Sequence, residues 1–167
     1  MSDVNWYALW VRSRQEFVSA DELQRKGIET FLPSVSRVRQ WKDRKKLVVF
    51  PLFPGYLFVH VAPEAEAFLN VVKTRGAVSL LGQEPGYPAP VDPQEIRSLR
   101  LMIDSGEPLD LYPQLQEGAA VRIKQGPLKG AQGVLAEKND QRLFVVNVNI
   151  LGRSIGMKID AEDIERA

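Results

Sequence analysis

Residues 51–61, Pro-Leu-Phe-Pro-Gly-Tyr-Leu-Phe-Val-His-Val, constrain the fold of this chain more than any other stretch. Pro51 and Pro54 lack backbone donors, so they suit the edge or the start of a strand and not its centre. Gly55 accepts a turn conformation that a larger residue resists. Beyond it the alternation puts Tyr56, Phe58 and His60 on one side and Leu57, Val59 and Val61 on the other. One face feeds a core while the other offers aromatics, where an ordinary half-exposed strand carries charges.

The flanking sequence predicts the partners of that strand. Residues 6–12 alternate and are β-prone, giving a first strand. Glu16 to Lys26 carries Phe17, Ala20 and Leu23 at helical spacing, and Gly27 closes the helix. A short strand at 29–32 stops at Pro33. Residues 35–41 and 46–50 read as the arms of a basic hairpin. Pro63 to Arg75 predicts a second helix ended by Gly76, then a strand at 77–81 and a loop over 83–90. Asp92 caps a last helix, with Glu95 in a capping-box position and Ile96, Leu99 and Ile103 inward. This order predicts an α+β domain over residues 1–104, an antiparallel-rich sheet with packed helices. Residues 105–116, with Gly106, Pro108 and Pro113, read as a linker. Residues 117–167 hold several short strands separated by tight turns, which predicts a small five-stranded, all-β barrel.

Chemistry-bearing residues exclude several classes of function. The chain has no cysteine and one histidine, which excludes a disulfide framework, a cysteine metal site and a multi-histidine centre. No Walker loop or dinucleotide fingerprint occurs. Strands flank Gly126-Pro-Leu-Lys-Gly130, so it lacks the helix N-terminus that holds phosphate. Asp160, Glu162, Asp163 and Glu165 read as solvated carboxylates. The expectation is a protein without enzymatic activity, cofactor or metal. No apolar run approaches the ~20 residues of a membrane span, and the N-terminus has no signal pattern. A cytoplasmic chain with no membrane partner, and a monomer, is expected.

Binding has more support. Trp6, Trp10, Phe53, Tyr56 and Phe58 are more large side chains than one small domain buries on one face, and an exposed aromatic patch marks a partner site. Arg12, Arg14 and Arg25, with Lys73, Thr74 and Arg75, form a basic edge nearby; cations closing a helix also complement its dipole. In the hairpin, Arg37, Arg39, Lys42, Arg44, Lys45 and Lys46 are opposed only by Asp43, an excess of five positive charges. That segment is either a solvated hairpin or a phosphate-facing one with Trp41 available for stacking.

These motifs, in this order, resemble the NusG family. Trp6-Tyr-Ala-Leu9 with Glu16, the Phe53-to-Val59 block, Thr74-Arg-Gly76 and Pro90-Val-Asp92 with Glu95 are similar to its N-terminal (NGN) domain. Gly118-x-x-Val-Arg-Ile-x-x-Gly-Pro-Leu-x-Gly130 with Gly133 resembles a KOW domain, an SH3-like barrel, and residues 149–153 resemble the loop that follows in it. Residues 27–33, 39–44 and 51–56 look more like UpxY-type and RfaH-like antiterminators than the housekeeping factor.

The resemblance implies a transcription elongation factor. Its first domain would lay an apolar depression on the clamp helices of the largest RNA polymerase subunit through Trp10, Phe53, Tyr56 and Phe58, with Leu80 and Ile96 at the margins. A second contact, to the facing polymerase lobe, falls on Ala67 and Phe68. Bridging the cleft resists clamp opening and suppresses pausing. Non-template DNA matches Arg12, Arg25, Thr74 and Arg75, with Arg14 beside them, although Glu22 stands where a DNA-directed residue is expected. The KOW loop, at Ile150, Leu151 and Arg153, would recruit termination factor Rho or a small-subunit ribosomal protein. Leu151 replaces the aromatic of housekeeping members, which places antitermination ahead of Rho-assisted termination. Val121, Val134, Val145, Val146 and Val148 favour strands, so a barrel without a fold switch is expected. The alternative is an RNA- or ribosome-binding KOW module, against which the aromatic N-terminal face argues.

Overall fold

The alternation of the first strand is realised as β1 (Asn5–Val11), and α1 (Glu16–Arg25) follows it. Then come β2 (Glu29–Phe31), β3 (Ser34–Trp41), β4 (Arg44–Pro51), β5 (Tyr56–Val61), α2 (Ala65–Val72) and β6 (Ala77–Leu80). The computed structural model describes residues 3–84, 86–113, 118–138 and 140–167, with the backbone alone for Lys138. Residues 114–117 at the junction of the expected linker and C-terminal domain, Pro85 of the expected loop and Asn139 of the expected turn lie outside the described residues. The chain divides into two compact units between Pro90 and Val91.

In the first unit a four-stranded sheet has the order β2-β5-β1-β6, and β3 and β4 form a separate two-stranded sheet. Antiparallel register opposes Trp6 to His60, Ala8 to Phe58 and Trp10 to Tyr56, while Tyr7 opposes Val59 and Leu9 opposes Leu57. Opposed residues share a face. The face of Tyr7, Leu9, Val11, Leu57, Val59 and Val61 packs with Ala20, Leu23 and Val71 from the helices as one buried cluster. The aromatic side chains expected beside that core therefore occupy the second face.

The second unit contains α3 (Pro93–Asp104), β7 (Asp110–Pro113), β8 (Ala119–Ile123), β9 (Gln132–Lys138), β10 (Gln141–Val148), β11 (Arg153–Lys158) and β12 (Ile164–Arg166). The sheet has six strands in the order β12-β8-β9-β10-β11-β7, one more than the sequence suggests. The additional strand is β7, within the segment read as a linker. Tyr112 opposes Ser154 and Leu111 opposes Ile155, so the chain there is a paired edge. Its prolines hide it from a pattern search, but Pro113 needs no donor at an edge. Residues 143–146 of β10 are all buried, and Val121, Ile123, Ile155 and Met157 add to this core. Helix α3 packs on β9 and β10. Buried Ser98 accepts the Gln132 N–H at 2.9 Å, which ties the helix to the edge of β9. An α+β region followed by a small β-rich one is thus the architecture, as the residue pattern implies.

Candidate functional site

The aromatic face of the first sheet is built by a turn that one carboxylate holds in place. Gly55 has φ +88°, a conformation that favours glycine, and its carbonyl accepts the Val11 N–H at 2.8 Å. Its own N–H donates to Glu16 Oε2 at 2.9 Å. Glu16 is buried at the start of α1, where a carboxylate also complements the helix dipole. One side chain therefore fixes both the helix and the turn that delivers Tyr56 opposite Trp10.

Burial then sorts the expected docking residues. Trp10 is 46% exposed, and Tyr56 beside it is half-buried. Phe53 and Phe58 are both 0% exposed, contrary to the expected open patch. Phe58 stacks on Phe31 at 6.1 Å and meets Phe53 edge-on at 6.4 Å, so ring covers ring. These two phenylalanines support the surface and do not form it. Trp6 is likewise buried, stacked at 4.6 Å on His60, whose Nδ1 lies 3.2 Å from Glu29 Oε1. The lone histidine is a packing residue on an interior strand, paired on both sides, and not at the sheet edge.

Other marginal candidates move as well. Leu80 opposes Leu9 and packs on the helix-side core, on the opposite face of the sheet from Trp10. Ile96 is buried in α3. Ala67 and Phe68 pack against the helix-side core, with Phe68 edge-on to Tyr7 at 5.0 Å. The outer side of α2 instead presents Leu69, 51% exposed, along a shallow groove lined also by Glu66, Ala67, Asn70 and Lys73.

The basic edge is organised by a polar stripe on α1. Ser19 Oγ donates to the Arg75 carbonyl at 2.6 Å, and the Arg75 N–H donates to Glu22 Oε2 at 2.7 Å. Lys26 Nζ donates to Thr74 Oγ1 at 3.1 Å and to the Asn70 carbonyl at 3.0 Å. Ser19, Glu22 and Lys26 stand at i, i+3 and i+7, one face of the helix. Thr74 is buried, so it is a structural anchor and not an exposed nucleic-acid contact. Glu22, the position at odds with DNA reading, holds a backbone amide. The Arg12 N–H donates to the Gly76 carbonyl at 2.8 Å, which brings the backbones of Arg12 and Arg75 together at one rim. Arg12, Arg14 and Arg75 are exposed there, and exposed Arg25 pairs with Asp21 at 3.0 Å. The spacing of Ser19, Glu22 and Lys26 was the sequence signal for this clamp; its target in a loop some 50 residues away was invisible.

In the second unit the expected partner loop is a 3-10 turn, Asn149–Leu151, closed by Gly152. Ile150, Leu151 and Arg153 are each half-buried. Asp92 caps α3 by accepting the Gln94 N–H at 2.9 Å. Glu95 does not close the capping box: its Oε1 accepts the Asn149 N–H at 3.0 Å and fixes the loop. Burial raises its carboxyl from 4.5 to about 7, against the lowering effect of that hydrogen bond, with a further raising effect of Asp92. The folded unit therefore holds this proton more tightly than the unfolded chain. Its stabilising contribution is complete below about pH 4.5 and is lost as pH rises through about 7. Glu95→Gln keeps an acceptor for Asn149 and removes the titration. Thermal melts of this variant should be flatter than the parent's between pH 4.5 and 8; an unchanged slope would refute the assignment.

Among the described residues, no group of three or more His, Cys, Asp or Glu side chains is arranged to hold a metal ion. Among them, too, no helix is long and apolar enough to cross a membrane.

A mixed sheet-and-helix unit is thus followed by a β-rich unit, and the first unit carries an aromatic sheet face with a basic rim beside it. The family described as Transcription termination factor nusG matches residues 4–100. The chain is 31% identical over 132 residues to the transcription termination/antitermination protein NusG of Staphylococcus aureus, covering 76% of this chain and 71% of that protein. The protein of the same description from Thermus thermophilus is 28% identical over 183 residues, covering 98% of this chain and 99% of its own. A solved structure described as domain interaction in Thermotoga maritima NusG shares the fold, with TM-score 0.53 and 23% identity over 98% of this chain and 97% of that one. The chain belongs to the NusG family of transcription factors.

Proposed function

We propose that this protein binds RNA polymerase through the Trp10–Tyr56 end of its aromatic sheet face and promotes processive elongation, without enzymatic activity of its own. The observation that carries this reading is Trp10, 46% exposed on a strand whose other large aromatics, Trp6 and Tyr7, are buried. An indole held open on a rigid sheet is the usual anchor of a protein interface. Its occupant in this reading is a clamp helix of the largest polymerase subunit, with the exposed side of α2 toward the facing lobe. Holding both would stabilise the closed clamp by differential binding. Arg12, Arg14, Arg25 and Arg75 supply phosphate contacts to the non-template strand.

The half-buried loop at Ile150, Leu151 and Arg153 is the proposed coupling site to a small-subunit ribosomal protein or Rho. The relatives' shared description covers both termination and antitermination. The aliphatic Leu151 supports antitermination, in the manner of UpxY-type and RfaH-like members, because it offers Rho a smaller contact than an aromatic ring.

Core polymerase pull-down with Trp10→Ala tests the docking surface. Loss of a hot-spot tryptophan costs roughly 2 kcal/mol or more, an affinity drop of about 30-fold. Affinity within threefold of the parent would overturn this surface. Transcription across a Rho-dependent terminator then separates the outcomes: more readthrough supports antitermination, and earlier release refutes it.

A further inference from the structure

We propose that β7 is a strap laid along β11 that holds the loop at Ile150, Leu151 and Arg153 in its turn, with Tyr112 as the positioning residue that latches it; this rests on the reading of that loop as the coupling site. Register brings strap and loop together. Pro113, the last residue of β7, opposes Arg153, and Tyr112 opposes Ser154 next to it. On the other side of β11, Val148 opposes Arg153 and Asn147 opposes Ser154. Strands β10, β11 and β7 are therefore three neighbours at the base of the loop, and β7 is the outermost.

The latch is a ring seated in a notch. Gly156 stands two residues along β11 from Ser154, on the same face. A Cβ there would lie 2.8 Å from Tyr112 Cε2, so the absence of a side chain is what makes room for the ring. Register puts the same tyrosine beside Ser154, which is fully buried and whose Oγ donates to Asn147 Oδ1. A hydroxyl–amide pair kept from water binds more strongly than an exposed one, and this pair ties β10 to β11 one position from the loop. Tyr112 therefore braces the row of side chains on which the loop stands.

Little else keeps β7 in place. It is a four-residue edge strand with one neighbour, and so short a pair is marginal by itself. Pro113 has no N–H to donate. Leu111 is 41% exposed, and only Leu109, just before the strand, is buried with it. Loss of the Tyr112 ring should thus open the strap locally while the barrel stays folded. The start of the loop has a hold of its own, because the Asn149 N–H donates to Glu95 on α3. The bond that closes the turn, from the Gly152 N–H to the Asn149 carbonyl at 3.1 Å, lies at the strap end.

Hydrogen exchange of the full chain, resolved by amide and read with no partner present, tests the proposal. Tyr112→Ala should speed exchange of the Gly152 amide at least about tenfold, while amides of residues 143–146 in the barrel core change by less than about twofold. Gly156→Ala should do the same, because it fills the notch and leaves Tyr112 in the chain. Tyr112→Phe keeps the ring and should match the parent. Gly152 exchange within about twofold of the parent in both Tyr112→Ala and Gly156→Ala would overturn the proposal. So would equal acceleration over residues 143–146 in both variants, the mark of general destabilisation, or exchange in Tyr112→Phe as fast as in Tyr112→Ala. Pull-down of Rho or of a small-subunit ribosomal protein by the Leu151→Ala protein tests the coupling site separately, so the two failures are distinguishable.

Discussion

Phe58→Ala should lower the stability of the N-terminal unit by about 3–5 kcal/mol, the range for deleting a fully buried phenylalanine. The ring is 0% exposed and sits in β5, an interior strand flanked by β2 and β1. Its neighbours Phe31 and Phe53 are rigid rings, stacked and edge-on, and the opposed Ala8 is too small to fill a void. A cavity bounded this way collapses poorly, so the removed contacts are not recovered. Trp10→Ala, one strand away on the same face, should cost much less stability, because its side chain is already nearly half in water. Urea denaturation of both variants, followed through the amide signals of β1 and β5, separates the two roles. A cost below about 1 kcal/mol for Phe58→Ala would mean the ring is not a core residue.

The second large effect concerns Gly76, which joins α2 to β6. Its φ of +84° disfavours any side chain, and a Cβ there would stand 2.6 Å from Ser19 Oγ and 2.7 Å from Gln15 Cβ. Ser19 cannot simply yield, because its hydroxyl holds the Arg75 carbonyl. Gly76→Ala should therefore cost about 2–4 kcal/mol, strain plus a displaced clamp. It should also shift Arg75 away from Arg12, whose N–H depends on the Gly76 carbonyl. Gly27 provides the comparison: φ is +81°, but nothing lies within 4 Å of its added Cβ. Gly27→Ala should cost only about 1 kcal/mol, the conformational part alone. Equal melting temperatures for the two variants would show that close approach to α1 contributes nothing.

Much of the architecture was legible along the chain because it depends on local periodicity. The alternation in β1 and β5 and the helical spacing of Ala20 and Leu23 each announce one buried face. Glycines at 27 and 76 mark ends because of the φ they must adopt. Strand β7 was not legible: a proline-bearing edge of four residues has no period to detect, and only its pairing with β11 makes it a strand.

The proposed binding site was legible in its residue types but not in their exposure. Period-two alternation placed Tyr56 and Phe58 on one side of their strand, and the register adds Trp10 to that face. Whether an aromatic is surface or core depends on which other rings cover it, and those come from Phe31 at the end of β2 and Phe53 in the bend before β5. Glu22 and Glu95 show the same limit for charge. Each carboxylate lies on a helix that sequence locates well, yet each serves a backbone amide more than 50 positions away.

By itself, then, the order of amino acids determined the succession of strands and helices apart from β7, the family and the excess of charge in the hairpin, since these follow from neighbours within a few positions. Tertiary structure alone decided that Phe53, Phe58 and Thr74 are interior, that Trp10 is open, and that Arg37, Arg39, Arg44 and Lys46 share one face of the hairpin with Trp41. Those outcomes are set by contacts between segments distant in sequence, and by a register that no single segment carries.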